Sequence, residues 1–214
     1  MLPLAISTAA AGLYQKDNLN LPYPSMSAKP SGDIILIWGG SSCVGTAAVQ
    51  LARASGLEVI STASSHNHDL VKSLGASQVF DHRSPSVVDD IVAALKGKRI
   101  VGAYDSISEE KTQKACADIL LKSNVENKYI AVVLPATQGL ASEVTLKSVY
   151  AVTILKNEVG PAVWQQYLPK ALESGHFKPA PQPLIVGTGL EYIQEAMEKN
   201  KAGLSAAKAV VKLS

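Results

Sequence analysis

Short unbroken apolar runs recur along the chain, and each gives way to a small or polar turn and then to apolar positions three and four residues apart. The runs suit strands buried on both faces of a sheet, and the wider spacing suits helices. Ile34–Trp38 is the first such run. Val44, Ala48 and Leu51, with Arg53 turned outward, predict the helix that follows, and Gly56 stops it. The rhythm then repeats: a strand over Glu58–Ala63, a helix over Asp69–Leu74 ended by Gly75, and a short strand over Gln78–Asp81. Next come a helix from Pro85 to about Leu95, a strand over Ile100–Asp105 and a helix to about Leu121. Ser108 suits the cap of that last helix, with Glu109 and Glu110 in its first turn. Tyr129–Leu134 is a fifth strand. Such alternation predicts an α/β fold with a doubly wound parallel sheet of the Rossmann type.

The flanks depart from this rhythm. Ile6–Tyr14 predicts a small-residue helix, and the Pro- and Ser-rich stretch 20–32 predicts an extended connection into the first strand. Val144–Ile154 reads as an edge strand, and Pro161–Ser174 as a helix with Trp164, Leu168 and Leu172 on one face. After the Pro-rich connector 178–183 come a strand over Leu184–Val186, a helix over Glu191–Lys199 and a strand over Ala209–Leu213. These closing pieces are too small to enclose a core. The expected organisation is a nucleotide-binding unit over 1–177 and a C-terminal segment over 178–214.

Composition narrows the function. A chain of 214 residues, 47% hydrophobic, with no apolar run of about 18 residues, predicts a water-soluble protein with one substantial core. A formal charge of +2 and the lack of a dense Lys/Arg block argue against nucleic acid or a membrane surface as the main partner. Cys43 and Cys116 lie far apart, which supports neither a disulfide framework nor a Cys-rich zinc site and points to a reducing, cytoplasmic setting. The N-terminus has no basic start and is interrupted by Pro3, so it reads as folded protein and not as a secretory signal.

The turn after the first strand carries the chemistry. A pyrophosphate needs a close backbone approach and amide N–H groups at a helix N-terminus. Gly40 and Gly45 occupy the outer positions of a G-x-G-x-x-G pattern, and Ser42 stands at the middle one. The hydroxyls of Ser41 and Ser42 suit either phosphate oxygens or a helix cap, and Cys43 and Val44 complete the loop. Cys43 reads as a small filler, with no base or resolving thiol nearby in sequence. The end of the second strand is expected to select the cofactor. Where a carboxylate would bind the ribose 2′-hydroxyl of NAD, the chain has Ser64, Ser65, His66 and Asn67, which favour the 2′-phosphate of NADP(H). His66 and His68 form an H-x-H pair without a third ligand at suitable spacing, so no metal is expected.

Together these residues resemble the medium-chain dehydrogenase/reductase superfamily, in its quinone-oxidoreductase-like branch that includes fungal trans-acting enoyl reductases. The resemblance rests on Leu2–Ala9, on Trp38-Gly-Gly-Ser-Ser-Cys-Val-Gly45 and Ser64-Ser-His-Asn67, and on Ser73–Ala76, Val79–Asp81 and Gly189-Leu190, all in order. It implies that the segment Ser41–Val44 holds the pyrophosphate, that Ser64–Asn67 reads the 2′-phosphate, and that Val133 and Leu134 line the nicotinamide. It places Ile6, Ser7, Thr8 and Ala9 on the substrate side, with Thr8 either a nicotinamide contact or a helix-packing residue. His82 stands where the family often has Tyr, a ring beside the adenosine. The resemblance further implies a GroES-like substrate domain largely missing here, with the segment after Lys178 resembling its returning strands.

The implied activity is zinc-free, NADPH-dependent reduction of an activated C=C bond in an enoyl thioester or quinone-like acceptor, within secondary metabolism. The alternatives are an NADP-binding fragment without catalysis and a truncated gene product. An acyl-thioester or small-molecule substrate is expected, with a polyketide synthase or a second copy as partner. No proton donor is singled out: Tyr104 and Lys147 have no spacing that selects them.

Overall fold

The computed structural model describes all residues except Met1, Asn124, Glu126 and Ser214. Six strands build the main sheet: β1 (Asp33–Trp38), β2 (Glu58–Ala63), β3 (Gln78–Asp81), β4 (Arg99–Asp105), β5 (Tyr129–Val132) and β6 (Thr145–Ser148). Their order is β3-β2-β1-β4-β5-β6 and every pairing is parallel. The doubly wound sheet expected from the alternation is therefore present.

Central β1 shows why its sequence is continuously apolar. Ile35 and Ile37 enter one core with α1 (Leu2–Tyr14), α2 (Cys43–Ala54) and α3 (His68–Ser73). Ile34, Leu36 and Trp38 enter a second core on the opposite face, with α4 (Val87–Ala94) and α5 (Glu110–Lys122). Alternate side chains of a strand point to opposite faces, so a strand covered on both sides has no polar positions to spare. Tyr104, from β4, reaches through the first core and donates its hydroxyl hydrogen to Thr8 O of α1 at 2.9 Å. Burial pushes that phenol well above its ordinary range, so it stays protonated and serves as a donor.

Three elements differ from expectation. The edge strand expected over Val144–Ile154 stops at Ser148, and Ala151–Lys156 coils into 3₁₀ turns. Thr153 explains the break: its hydroxyl donates back to Tyr150 O at 2.6 Å, and such local bonding competes with a sheet ladder. The helix expected over Pro161–Ser174 begins as a π-helix over Pro161–Tyr167 and continues as α6 (Leu168–Glu173). The Leu168 amide bonds Val163 O, five residues back, so the phase slips and Ala171 is buried where Leu172 was expected. Finally, Ser108 is not the cap of α5. Glu109 takes that position, and Ser108 sits before it with φ 58°.

The C-terminal segment forms a separate two-stranded parallel sheet of β7 (Gln182–Thr188) and β8 (Ala207–Lys212), joined through α7 (Ile193–Ala202). None of its described residues from 182 to 213 is buried. Just before it, Phe177 is buried in the first core, 1% exposed.

Tyr104→Phe removes the α1–β4 hydrogen bond and keeps the ring. The expected loss is about 1 kcal/mol of unfolding free energy, read from urea titration, because an ordinary buried hydrogen bond contributes that much net. An unchanged midpoint would show that ring packing alone holds α1.

Candidate active site: a cleft at the reversal of strand order

The strand order reverses between β1 and β4, and a ligand crevice is expected outside their C-terminal ends. A cleft of about 660 Å³ lies there, a size common for small-molecule sites. Its floor is the turn from β1 into α2. Gly39 adopts φ 79°, and a Cβ at Gly45 would overlap the Gly39 carbonyl, so only glycines allow the helix to start this close to the strand. The Gly39 and Gly40 amides are tied to the Thr62 hydroxyl and carbonyl of β2 at 3.0 and 2.8 Å. Ser42 caps α2, accepting from Gly45 N at 3.0 Å, and its hydroxyl lies 2.9 Å from that of Ser106 after β4. Ser42 thus makes the helix cap and welds the two strand ends together. Ser41 and Cys43 also line the cleft, with Cys43 opening α2.

The second wall is the end of β2 and the turn after β3. Ser64 Oγ lies 3.2 Å from His82 Nε2, and Arg83 lines the cleft beside it. The Asp81 carboxylate accepts from the Arg83 backbone N–H at 2.9 Å, which lowers its pKa and commits its charge to its own turn. His66 Nε2 lies 2.7 Å from Ser205 Oγ, whereas His68 Nε2 lies 3.2 Å from Ala63 O, so the H-x-H pair diverges. Asn67 also donates to Ser205 Oγ, at 2.9 Å.

The third wall, within residues 107–112, is held from below by Asp105. This fully buried carboxylate accepts from Ile107 N, Ser108 N and Thr112 Oγ1 at 3.0, 2.8 and 2.6 Å. Ser108 Oγ in turn receives the Val133 amide at 2.8 Å. Gln113 donates to Ser108 O and Pro135 O and accepts from Thr137 N. The loop after β4 is therefore bolted to the chain after β5.

The residues singled out by sequence divide into groups. Ser41, Ser42, Cys43, Ser64, Asn67 and His82 meet in the cleft. Gly40, Val44 and Gly45 form the turn's support, and Ser65 and His66 sit on its outer rim. Val133 holds the third wall through its backbone, and Leu134 is half exposed. In α1 the side chains of Ile6 and Ala9 are fully buried in the core, and Thr8 turns its hydroxyl to Leu4 O at 2.7 Å. Ser7 lines a separate apolar groove of about 530 Å³ with Leu4, Val152, Leu155 and Trp164, and it accepts the Trp164 indole N–H at 3.2 Å. Sequence reasoning missed Thr62, Arg83 and the C-terminal residues Asn200 and Gly203–Ala207, all of which border the cleft, and Ser106, which bonds Ser42 from behind it. Ser205 meets His66 and Asn67 from more than 130 residues away, and no local pattern reports such a contact.

Residues 43–124 match the family model described as "Zinc-binding dehydrogenase". Over its full length the chain is 45% identical to "Trans-enoyl reductase himH" of Aspergillus japonicus and 43% identical to "Dehydrogenase azaJ" of Aspergillus niger. It spans 61% and 62% of those two relatives. A quinone oxidoreductase of Pseudomonas syringae superposes with a TM-score of 0.73 at 21% identity, covering 99% of this chain and 63% of that one, a likeness of fold. The zinc in the family's description finds no fitting donor set here: among the described residues no three His, Cys, Asp or Glu side chains converge. No described helix is long and apolar enough to cross a membrane.

Desolvation raises the Asp105 carboxyl above the ordinary aspartate value of about 3.9, and its hydrogen bonds offset this only in part. The folded chain therefore binds that proton more tightly than the unfolded chain. The associated stability is present at low pH and is lost as pH rises from the ordinary value through the raised one. Asp105→Asn keeps an acceptor for the Ile107 and Ser108 amides and cannot ionise. Its Tm relative to the parent should rise across that window, and parallel Tm–pH curves would refute the assignment.

Proposed function

We propose that the chain is a member of the medium-chain dehydrogenase/reductase superfamily, on its enoyl-reductase and quinone-oxidoreductase side, and that it forms the cofactor-binding part of an NADPH-dependent reductase of activated C=C bonds. The carrying observation is the cleft at the sheet's reversal point. Its β2-side rim offers Ser64, Asn67, His82 and Arg83, and the Asp81 carboxylate behind that rim accepts from its own turn.

The residues fit a nicotinamide dinucleotide. The glycine turn allows close backbone approach, and the start of α2 presents amides to a pyrophosphate beside Ser41 and Cys43. Ser64, Asn67, His82 and Arg83 supply the donors a 2′-phosphate requires. The loop held by Asp105 supplies the wall nearest the ends of β4 and β5. When bound, the cofactor supplies a hydride. The chain's own contribution is to bind and orient it and to exclude water from one side.

On the substrate side, the apolar groove beside Ser7 and Trp164 supports an acyl chain or another apolar acceptor. Tyr104 does not suit proton delivery, since it is fully buried and donates to Thr8 O, and Lys147 lies over the Tyr129 ring. A thioester borne by a polyketide synthase is the proposed substrate class, in keeping with relatives named as trans-enoyl reductases. One observation favours a second reading, cofactor binding without turnover: Tyr104 and Lys147 are both engaged away from the cleft.

Calorimetric titration of the chain with NADPH and NADH tests the proposal, and NADPH oxidation in the presence of enones separates the two readings. NADPH should bind at least about tenfold more tightly than NADH, a difference of about 1.4 kcal/mol. Ser64→Asp, which sets a carboxylate on the 2′-phosphate rim, should abolish that preference. Equal affinity for the two nucleotides in the parent chain would sink the NADP assignment.

A further inference from the structure

Residues 182–213 have no buried side chain, so their position over the cleft is not set by a core of their own. It is set at two ends. At the tip, Ser205 sits between His66 and Asn67, and Asn200 and Gly203 border the cleft with it. At the root, the chain leaves the first core at Phe177 and is taken over by α2. Lys178 N donates to Gln50 Oε1 at 2.7 Å, and Gln50 Nε2 donates to Lys178 O at 3.0 Å. One turn earlier, the Thr46 hydroxyl lies 3.1 Å from Ala180 O.

The Gln50 side chain is itself buried, 5% exposed, and its amide nitrogen is steadied by Thr46 O at 3.1 Å. A primary amide can accept from a backbone N–H and donate to the carbonyl of the same residue, as a neighbouring strand would. Leu can do neither, and an ionised Glu can only accept. α2 thus has two roles: its first turn faces the cleft floor, and its second holds the segment that covers one side of that cleft.

We propose that Gln50 is a positioning residue that sets cofactor affinity by fixing where residues 203–207 lie over the cleft. The inference rests on the cofactor reading given above. The Gln50 side chain bonds Thr46 and Lys178, so its influence has to pass through the placement of Lys178.

The test is a double-mutant cycle on NADPH affinity with the full chain, using Gln50→Leu, Ser205→Ala and the pair, with urea unfolding run alongside. Gln50→Leu should weaken NADPH binding about tenfold, and adding Ser205→Ala should cost little more, because groups acting through one path are not additive. Ser64→Ala, at a cleft residue whose hydroxyl meets His82 and not the C-terminal segment, should add its full effect in either background. Hydrogen exchange at 203–207 should rise in Gln50→Leu while exchange in β1 and β4 stays unchanged. If Gln50→Leu fails to fold, Gln50→Glu, which keeps the acceptor for Lys178 N, carries the same cycle. Additive losses, or parental affinity in both Gln50 variants, would overturn the inference. No binding of NADPH or NADH by the unmodified chain would overturn the cofactor reading and this inference with it, and would be seen before any variant is compared.

Discussion

The first turn of α2 has amide groups with no partner inside the helix, and it begins where β1 and β4 part company. Every helix has such groups, but here the strand order opens a crevice in front of them, so the helix end faces a ligand-sized space. The surrounding structure holds that end in place. Gly45 lets the helix start against Gly39, and Thr62 receives the Gly39 amide. Ser42 meets one orphan amide itself and passes its hydroxyl contact to Ser106. Losing any of these would leave the helix intact and its aim altered.

A second layer of order lies beneath the cleft and is polar. Burying Asp105 is unfavourable for its charge, and Ser108 holds a left-handed backbone that side chains rarely adopt. The two share hydrogen bonds, so neither cost stands alone: Asp105 accepts the Ser108 amide, and the Ser108 hydroxyl donates to Asp105 O and receives Val133. An apolar packing here would be easier to stabilise but would leave the loops after β4 and β5 free to slide. Polar networks of this kind trade stability for a fixed spacing between backbone segments.

Much of this was legible in the chain itself. Strands covered on both faces write themselves as runs such as Ile34–Trp38, and the turn residues Gly40, Ser42 and Gly45 announce a helix that starts abruptly. The readings that failed did so where local chemistry outweighed pattern. Thr153 drew the backbone into a turn within an apolar stretch, and Ser108 looked like a cap because the true cap, Glu109, makes no side-chain capping bond. Ser205 and Gln50 were invisible for another reason. Their partners lie more than a hundred residues away, and spacing along a sequence carries no record of such meetings.

The π-helix over Pro161–Tyr167 has a further meaning. A π turn is an α turn with one residue inserted, and its Leu168-to-Val163 bond marks the place. The segment's length is therefore a structural variable: removing one residue would restore the ordinary helical phase and rotate everything upstream relative to α6. Trp164, which donates to Ser7 at the apolar groove, would be carried away from it, while Leu168 and Ala171 could keep their places in the core. The shape of that groove is thus encoded in a count of residues as much as in their identity, and length variants in this segment are a route by which such a fold can change what it accommodates without altering its core.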